Sequence, residues 1–276
     1  MVDIKNLQFS YTRSKDLFRS LSLSLEDGHI AGLLGMNGEG KTTLLKLLSG
    51  QFLRESGMMN VMGEDPSKRR VSFLSDVFYL PEVIRVPKGC SIGRYFDSLS
   101  SFYPNFSKEV AGEAMAAFEL TYDMRLDKLS QGWQKKAIIA FALSLGTKLL
   151  LLDEPTNGLD IPAKSVFRRL LVKYASEDRT VIISTHQVRD LEQITDYLIV
   201  MRNNGIILSK PVFEITEHFT IRMLNRDESA LFEERTPGGR LGLLPKEAGD
   251  EEGYFSTEFF FNALMARQDE ILKILK

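Results

Sequence analysis

Residues 35–43 read GMNGEGKTT, a stretch whose residue types and spacing suit phosphate binding. Gly35, Gly38 and Gly40 let the backbone bend so that successive N–H groups face one anion. Lys41 supplies a point charge for the β- and γ-phosphates, and Thr42 a hydroxyl for Mg²⁺. An apolar run at 30–34 leads into the loop and a helical pattern at 42–48 leads out of it. The helix N-terminus therefore adds its partial positive charge at the same spot. This strand–loop–helix context separates a phosphate-binding loop from a glycine-rich turn before an ordinary helix.

Further groups fit the same chemistry. The apolar run 149–152 reads as a buried parallel strand and ends in Asp153 and Glu154. Ligands of open α/β sheets bind beyond the carboxyl ends of the strands. Asp153 can hold Mg²⁺, and Glu154 can polarise an attacking water. Alone, the two acids before Pro155 could be a plain helix cap; beside a phosphate-binding loop the catalytic reading is preferred. The run 180–185 delivers His186, which can hydrogen-bond a γ-phosphate oxygen while facing the water. A lone histidine after a strand is more often structural, and only its company raises it. Ser130 is a good N-cap with Gly132 close behind, giving a second helix end that attracts anions. Standing alone, that stretch is a capped core helix. Tyr11, just past the first strand, could stack on a planar base or simply be exposed.

The elements that must position these groups follow from periodicity. Residues 2–11 alternate as an edge strand, and 17–25 alternate again and pair with it antiparallel. Asp27-Gly28 is a turn before the strand 30–34. Short strands are expected at 57–63 and 71–80, the second ended by Pro81-Glu82. From 83 to about 129 the pattern turns helical, with helices at 92–102 and 108–118, the latter capped by Ser107. This reads as a helical subdomain inserted into an α/β domain. An amphipathic helix is expected at 162–175, a helix at 187–194, and a hairpin of 197–201 with 205–209 around Asn203-Asn204-Gly205. After Pro211, residues 219–224, 229–234 and 240–244 read as a small sheet, 246–253 as an acidic loop and 259–276 as helix. The Phe259-Phe260-Phe261 run is expected in a core.

Composition bounds the function. The 276 residues carry a net charge of −2 with 26% charged and 43% hydrophobic residues, ordinary for a globular protein with one domain or a domain plus a smaller one. No global field draws the chain to nucleic acid or anionic lipid, and Lys68-Arg69-Arg70 reads as a solvated loop. The single cysteine, Cys90, excludes an internal disulfide and fits a reducing compartment. No signal segment opens the chain, and the greasiest stretch, 137–152, is broken by Ser144, Gly146, Thr147 and Lys148, so the cytoplasm is the expected location.

In order and spacing these motifs resemble the nucleotide-binding subunit of an ABC transporter along about 1–210. Walker A is 35–43, the signature LSQGW is 129–133, Walker B is 149–154, the D-loop NGLD is 157–160, and the switch is His186. The resemblance implies a P-loop NTPase fold: an α/β cassette at 1–211 with an antiparallel β subdomain and a helical subdomain at about 83–145. Residues 212–276 remain as a small α+β appendage. The resemblance places Tyr11 on adenine. It places Gly35, Met36, Asn37, Gly38, Glu39, Gly40, Lys41, Thr42 and Thr43 around the phosphates of ATP, with Thr42 and Asp153 at Mg²⁺. Glu154 becomes the general base and His186 the γ-phosphate sensor, acting with Lys41. It also implies a head-to-tail dimer, with a homodimer expected, in which Ser130, Gln131, Gly132 and the D-loop Asp160 reach the partner's ATP.

Two positions depart from the commonest pattern. The strand-end glutamine of the family is Glu82, a competent oxygen ligand for the metal that adds negative charge beside Asp153 and Glu154. Gln131 replaces a signature glycine and Trp133 its glutamine. Tyr79-Leu80-Pro81-Glu82 and Tyr103-Pro104-Asn105-Phe106 resemble antibiotic-resistance and ABC-2 type exporters. The function implied is ATP hydrolysis driving a separate integral-membrane permease, with the chain peripheral to the inner face of the membrane. The rivals are a soluble, non-transport ABC ATPase and a slow ATP-gated clamp.

Overall fold

The computed structural model describes residues 1–12, 15–247 and 255–276. Strands β1 (Val2–Thr12), β2 (Lys15–Leu25) and β3 (Ile30–Gly35) come first and lead into α1 (Lys41–Leu48). Next come β4 (Ser56–Val61), α2 (Val71–Ser75), β5 (Val77–Leu80), α3 (Ile92–Ser100), α4 (Lys108–Ala117) and α5 (Gln131–Ser144). The second half of the cassette adds β6 (Leu149–Asp153), α6 (Ile161–Lys173), β7 (Thr180–Ser184), β8 (Tyr197–Arg202) and β9 (Gly205–Pro211). The chain closes with α7 (Val212–His218), β10 (Phe219–Met223), β11 (Phe232–Thr236), β12 (Gly239–Pro245), α8 (Thr257–Ala266) and α9 (Gln268–Ile274).

A six-stranded sheet in the order β5-β6-β7-β3-β8-β9 carries the molecule. Its strands pair in parallel except β9, which returns antiparallel along β8. Parallel strands covered on both faces must be apolar throughout, and β6 is buried at every position. Alternation divides it. Leu150 and Leu152 join the core beneath the helices, while Leu149 and Leu151 join the core beneath the three-stranded sheet β2-β1-β4. A third core forms where α8, α9 and the sheet β10-β12-β11 cover β8 and β9, with Phe259 and Phe260 buried in it.

Several expectations change. The strand 2–11 is central in its sheet, paired with β2 along one edge and along the other with the short β4, which follows α1 in the chain. The stretch 71–80 is a short helix followed by a strand. Phe73 and Val77, four residues apart, both enter the core while Val71 is 83% exposed, so the alternation there was coincidental. The expected helix at 187–194 reduces to a 3-10 turn at Val188–Asp190 followed by further turns. Tyr11 lies within β1 and not beyond it. The acidic loop expected at 246–253 lies, from residue 248 on, outside the described residues. Ser107 and Ser130 do cap α4 and α5, accepting from the backbone N–H groups of Val110 and Trp133.

Candidate active site

The phosphate-binding loop links β3 to α1 and bends through left-handed Gly38 and Gly40. At Gly40, φ is 98° and a Cβ would meet the Phe18 ring at 2.7 Å, so only glycine fits. This close approach seats the helix end on the β1–β2 sheet. The Lys41 ammonium folds back onto the carbonyls of Gly35 at 2.6 Å and Met36 at 3.1 Å. Burial pushes its pKa below the usual lysine range, while Glu154 and Asp153 pull the other way. Glu39 turns from the loop and accepts from the backbone N–H of Asn204 at 2.7 Å, and Asn204 Nδ2 donates to the Gly38 carbonyl at 3.2 Å. The hairpin β8–β9 thus braces the loop from outside.

Beside the loop, β6 and β7 end in register, with Asp153 opposite Ser184. The Asp153 carboxylate is 2% exposed and accepts from Ser184 Oγ at 2.5 Å and the Tyr79 hydroxyl at 3.1 Å. Burial and that neighbouring charge push the Tyr79 phenol well above the usual tyrosine range. Glu154 is buried with φ at 47°, a left-handed conformation that a residue with a Cβ rarely adopts. Its backbone N–H donates to the Ser184 carbonyl at 3.0 Å. Its carboxylate accepts from Thr185 Oγ1 at 3.3 Å and meets His186 Nδ1 at 2.8 Å.

These groups face one cleft of about 530 Å³. Asn37, Gly38, Gly40, Lys41, Thr42 and Thr43 line one side. Glu82, Asp153, Glu154 and His186 line the other, and Tyr11 stands at the rim, 51% exposed, with its hydroxyl 2.5 Å from Thr43 Oγ1. Gly35 and Met36 contribute as the carbonyl seat of Lys41, and Glu39 contributes through the hairpin. The chemistry of this set fits a polyphosphate: a lysine, backbone N–H groups at a helix start and a threonine hydroxyl meet a carboxylate pair. Among the described residues no cluster of three or more His, Cys, Asp or Glu could hold a metal unaided. Mg²⁺ in such sites takes one or two carboxylates and completes its shell with substrate phosphates and water.

Ser130, Gln131, Gly132 and Asp160 stand outside that cleft. Gln131 lines a smaller one of about 200 Å³, shared with Glu82 and Asn157. A Cβ on Gly132 would lie 2.7 Å from the Gly158 carbonyl, so this glycine is required within its own chain. Asp160 caps α6 through the Ala163 N–H and pairs with Lys136 at 3.2 Å. Trp133 is half-buried against the helical core, with the Lys136 ammonium 4.6 Å from its ring centroid. Tyr103 and Phe106 pack around Phe141 in that core.

Sequence reasoning missed the groups that hold the site from behind. Asn157 donates to Glu82 at 3.2 Å and accepts from Gln187 at 3.2 Å, tying three loops together. Lys135 is buried and donates to the carbonyls of Glu154 and Asn157. The available signal was a lysine placed one turn into a helix, just before its apolar run 137–143.

The fold and the cleft define a P-loop NTPase cassette. A family model described as ABC transporter matches residues 18–157. The ABC transporter ATP-binding protein YtrB of Bacillus subtilis is 27% identical over 220 residues, covering 79% of this chain and 75% of that protein. The molybdate import ATP-binding protein MolC of Haemophilus influenzae is 29% identical over 264 residues, covering 92% and 94%. A solved dimeric ATP-binding cassette, bound to ADP and phosphate in a post-hydrolysis state, shares the fold. It has a TM-score of 0.68 at 20% identity, over 77% of this chain and 99% of that one. The chain belongs to the ABC transporter family and is an ATP-hydrolysing subunit of it.

Proposed function

We propose that this chain powers a separate integral-membrane permease by hydrolysing ATP, and that the transport it drives is export. The observation that carries the catalytic part is the Glu154–His186 contact at 2.8 Å, held beside Lys41 in one cleft at the carboxyl ends of β6, β7 and β3. Glu154 is the general base. It takes a proton from the attacking water, and His186 holds the carboxylate and the γ-phosphate side of the cleft in register. Lys41 leaves the carbonyls of Gly35 and Met36 for the β- and γ-phosphates. Tyr11 stacks on adenine at the rim. Thr42, Asp153 and Glu82 hold Mg²⁺, which when bound neutralises charge on the phosphate oxygens.

A head-to-tail homodimer is proposed, with Ser130, Gln131, Gly132 and Asp160 of one copy facing the ATP of the other. Its support is the solved dimeric cassette of the same fold and the exposure of Ser130, Gln131 and Asp160 outside their own cleft. A separate permease is proposed because relatives such as YtrB and MolC are named as the ATP-binding proteins of transporters. The chain would then sit in the cytoplasm against the inner face of the membrane. Export rests on the two elements Tyr79-Leu80-Pro81-Glu82 and Tyr103-Pro104-Asn105-Phe106. Residues 212–276 are proposed as an accessory segment, since every element of the cleft precedes them.

The test is phosphate release by the purified chain with Mg²⁺ and ATP, beside Lys41→Ala. The substitution is expected to lower turnover by about 100-fold or more, as loss of a charge aimed at the transition state does. Equal turnover by the two proteins would contradict the assignment of the cleft.

A further inference from the structure

Lys135 is 5% exposed, on a helix whose following residues, Ala137 to Ser144, are all buried. Its ammonium has carbonyl partners, Glu154 O at 3.0 Å and Asn157 O at 2.9 Å. Both carbonyls belong to the turn that follows β6. Backbone bonds of its own also hold that turn, from Asn157 N–H to the Glu154 carbonyl at 3.3 Å and from Leu159 N–H to the Thr156 carbonyl at 3.1 Å. It begins at a residue with φ at 47°. Burial pushes the ammonium below the usual lysine range, while Glu82, Glu154 and Asp153 oppose the shift.

Burying an ammonium is costly, and a methionine of similar length would fill the same space among apolar side chains without that cost. The charge must therefore offset something local. A left-handed turn at a residue with a Cβ is unfavourable and needs outside support. The orientation of the Glu154 carbonyl fixes the peptide plane after Glu154, and with it the direction from which the side chain sets out toward His186. A cation that grips the carbonyls of Glu154 and Asn157 holds both ends of the turn between them.

We infer that Lys135 is a positioning residue: through the Glu154 and Asn157 carbonyls it holds the turn that aims the Glu154 carboxylate. This rests on Glu154 being the base. The same contact joins the first turn of α5, with Ser130 and Gly132, to the backbone of this chain's own base. The approach of Gly132 to the Gly158 carbonyl and the Lys136–Asp160 pair reinforce that joint.

Lys135→Met removes the charge and keeps the stem. Misplacement of a reacting group by about 1 Å can cost about 100-fold in rate, so kcat is expected to fall about 10- to 100-fold. The KM for ATP, the ATP affinity without turnover and the melting temperature should stay near wild type. In a Glu154→Gln background the same substitution should lower the residual rate no further, because there is no base left to aim. Wild-type kcat in Lys135→Met would overturn the inference. So would a fall in kcat matched by equal losses of ATP affinity and stability, which would mark a packing role. If Lys135→Met does not fold, Lys135→Gln, which keeps a donor, should give an intermediate kcat at unchanged KM; wild-type kcat there overturns the inference equally. Failure of the underlying assignment looks different. Full turnover by Glu154→Gln alone overturns the base, whereas full turnover by Lys135→Met beside an inactive Glu154→Gln overturns only the role of Lys135.

Discussion

The two ends of α5 are each held by a buried cation on backbone carbonyls. Near the N-terminus, Lys135 reaches out to the turn that carries Glu154. At the C-terminus, Arg179 reaches in, donating to the carbonyls of Ala142 at 3.0 Å and Leu143 at 3.1 Å. Helix ends leave such carbonyls without helical partners, and a buried arginine fork satisfies them. Burial pushes the Arg179 guanidinium down to about 10. The chemistry is the same, but the acceptors differ. Arg179 finishes the last turn of a regular helix, away from the residues of the cleft. Lys135 supports a left-handed turn beside a cleft. A buried cation thus contributes stability where its acceptors lie in regular structure, and reaction geometry where they lie in a strained turn.

The largest effect expected at the C-terminal end is on stability. Arg179→Met loses charged hydrogen bonds but also the cost of burying a guanidinium, for a net loss of about 2 kcal/mol. The midpoint of thermal unfolding should fall by about 3–4 °C. ATP turnover at 25 °C should stay within about twofold of wild type. A variant that melts normally but turns over slowly would break the contrast between the two ends.

A smaller effect sharpens the role of the acceptor. Arg54 also sits in a polar niche, but its partner is a titrating carboxylate, Asp65, at 2.7 and 2.8 Å. The guanidinium holds the Asp65 pKa well below the usual carboxylate range, helped by Ser67. A depressed folded pKa contributes stability above the unfolded value and loses it as pH falls toward the folded one. Asp65→Asn should therefore cost about 1 kcal/mol at pH 7. The gap to wild type should begin to close below about pH 4 in acid unfolding. For Arg179→Met it should stay flat over that range, because carbonyls do not titrate. Equal pH dependence of the two gaps would show that the acceptor is not what distinguishes them.

Much of the cleft was legible because its parts are local in sequence. The phosphate-binding loop, the acid pair ending β6 and the histidine after β7 each announce themselves within about ten residues of chain. The supports were not legible, because they are pairings across long separations. Lys135 meets Glu154, Glu39 meets Asn204, and Gln187 meets Asn157, each joining different elements. Strand-like alternation at 71–80 misled because residues 73 and 77 are also neighbours on a helix-to-strand corner. The central place of β1 depends on β4, whose short sequence SGMMNV does not say which strand it joins. The small sheet after Pro211 and the buried phenylalanines of α8 were readable, since alternation and an apolar run survive without knowledge of partners.

The central claim is that Glu154, aimed from a left-handed turn, removes the proton from the attacking water. The direct measurement is single-turnover hydrolysis of ATP by Glu154→Gln, with equilibrium ATP binding measured on the same preparation. ATP affinity should stay within a few-fold of wild type, and hydrolysis should slow by about 10²- to 10⁴-fold, the range for loss of a positioned general base. Tight binding with hydrolysis at the wild-type rate would contradict the claim.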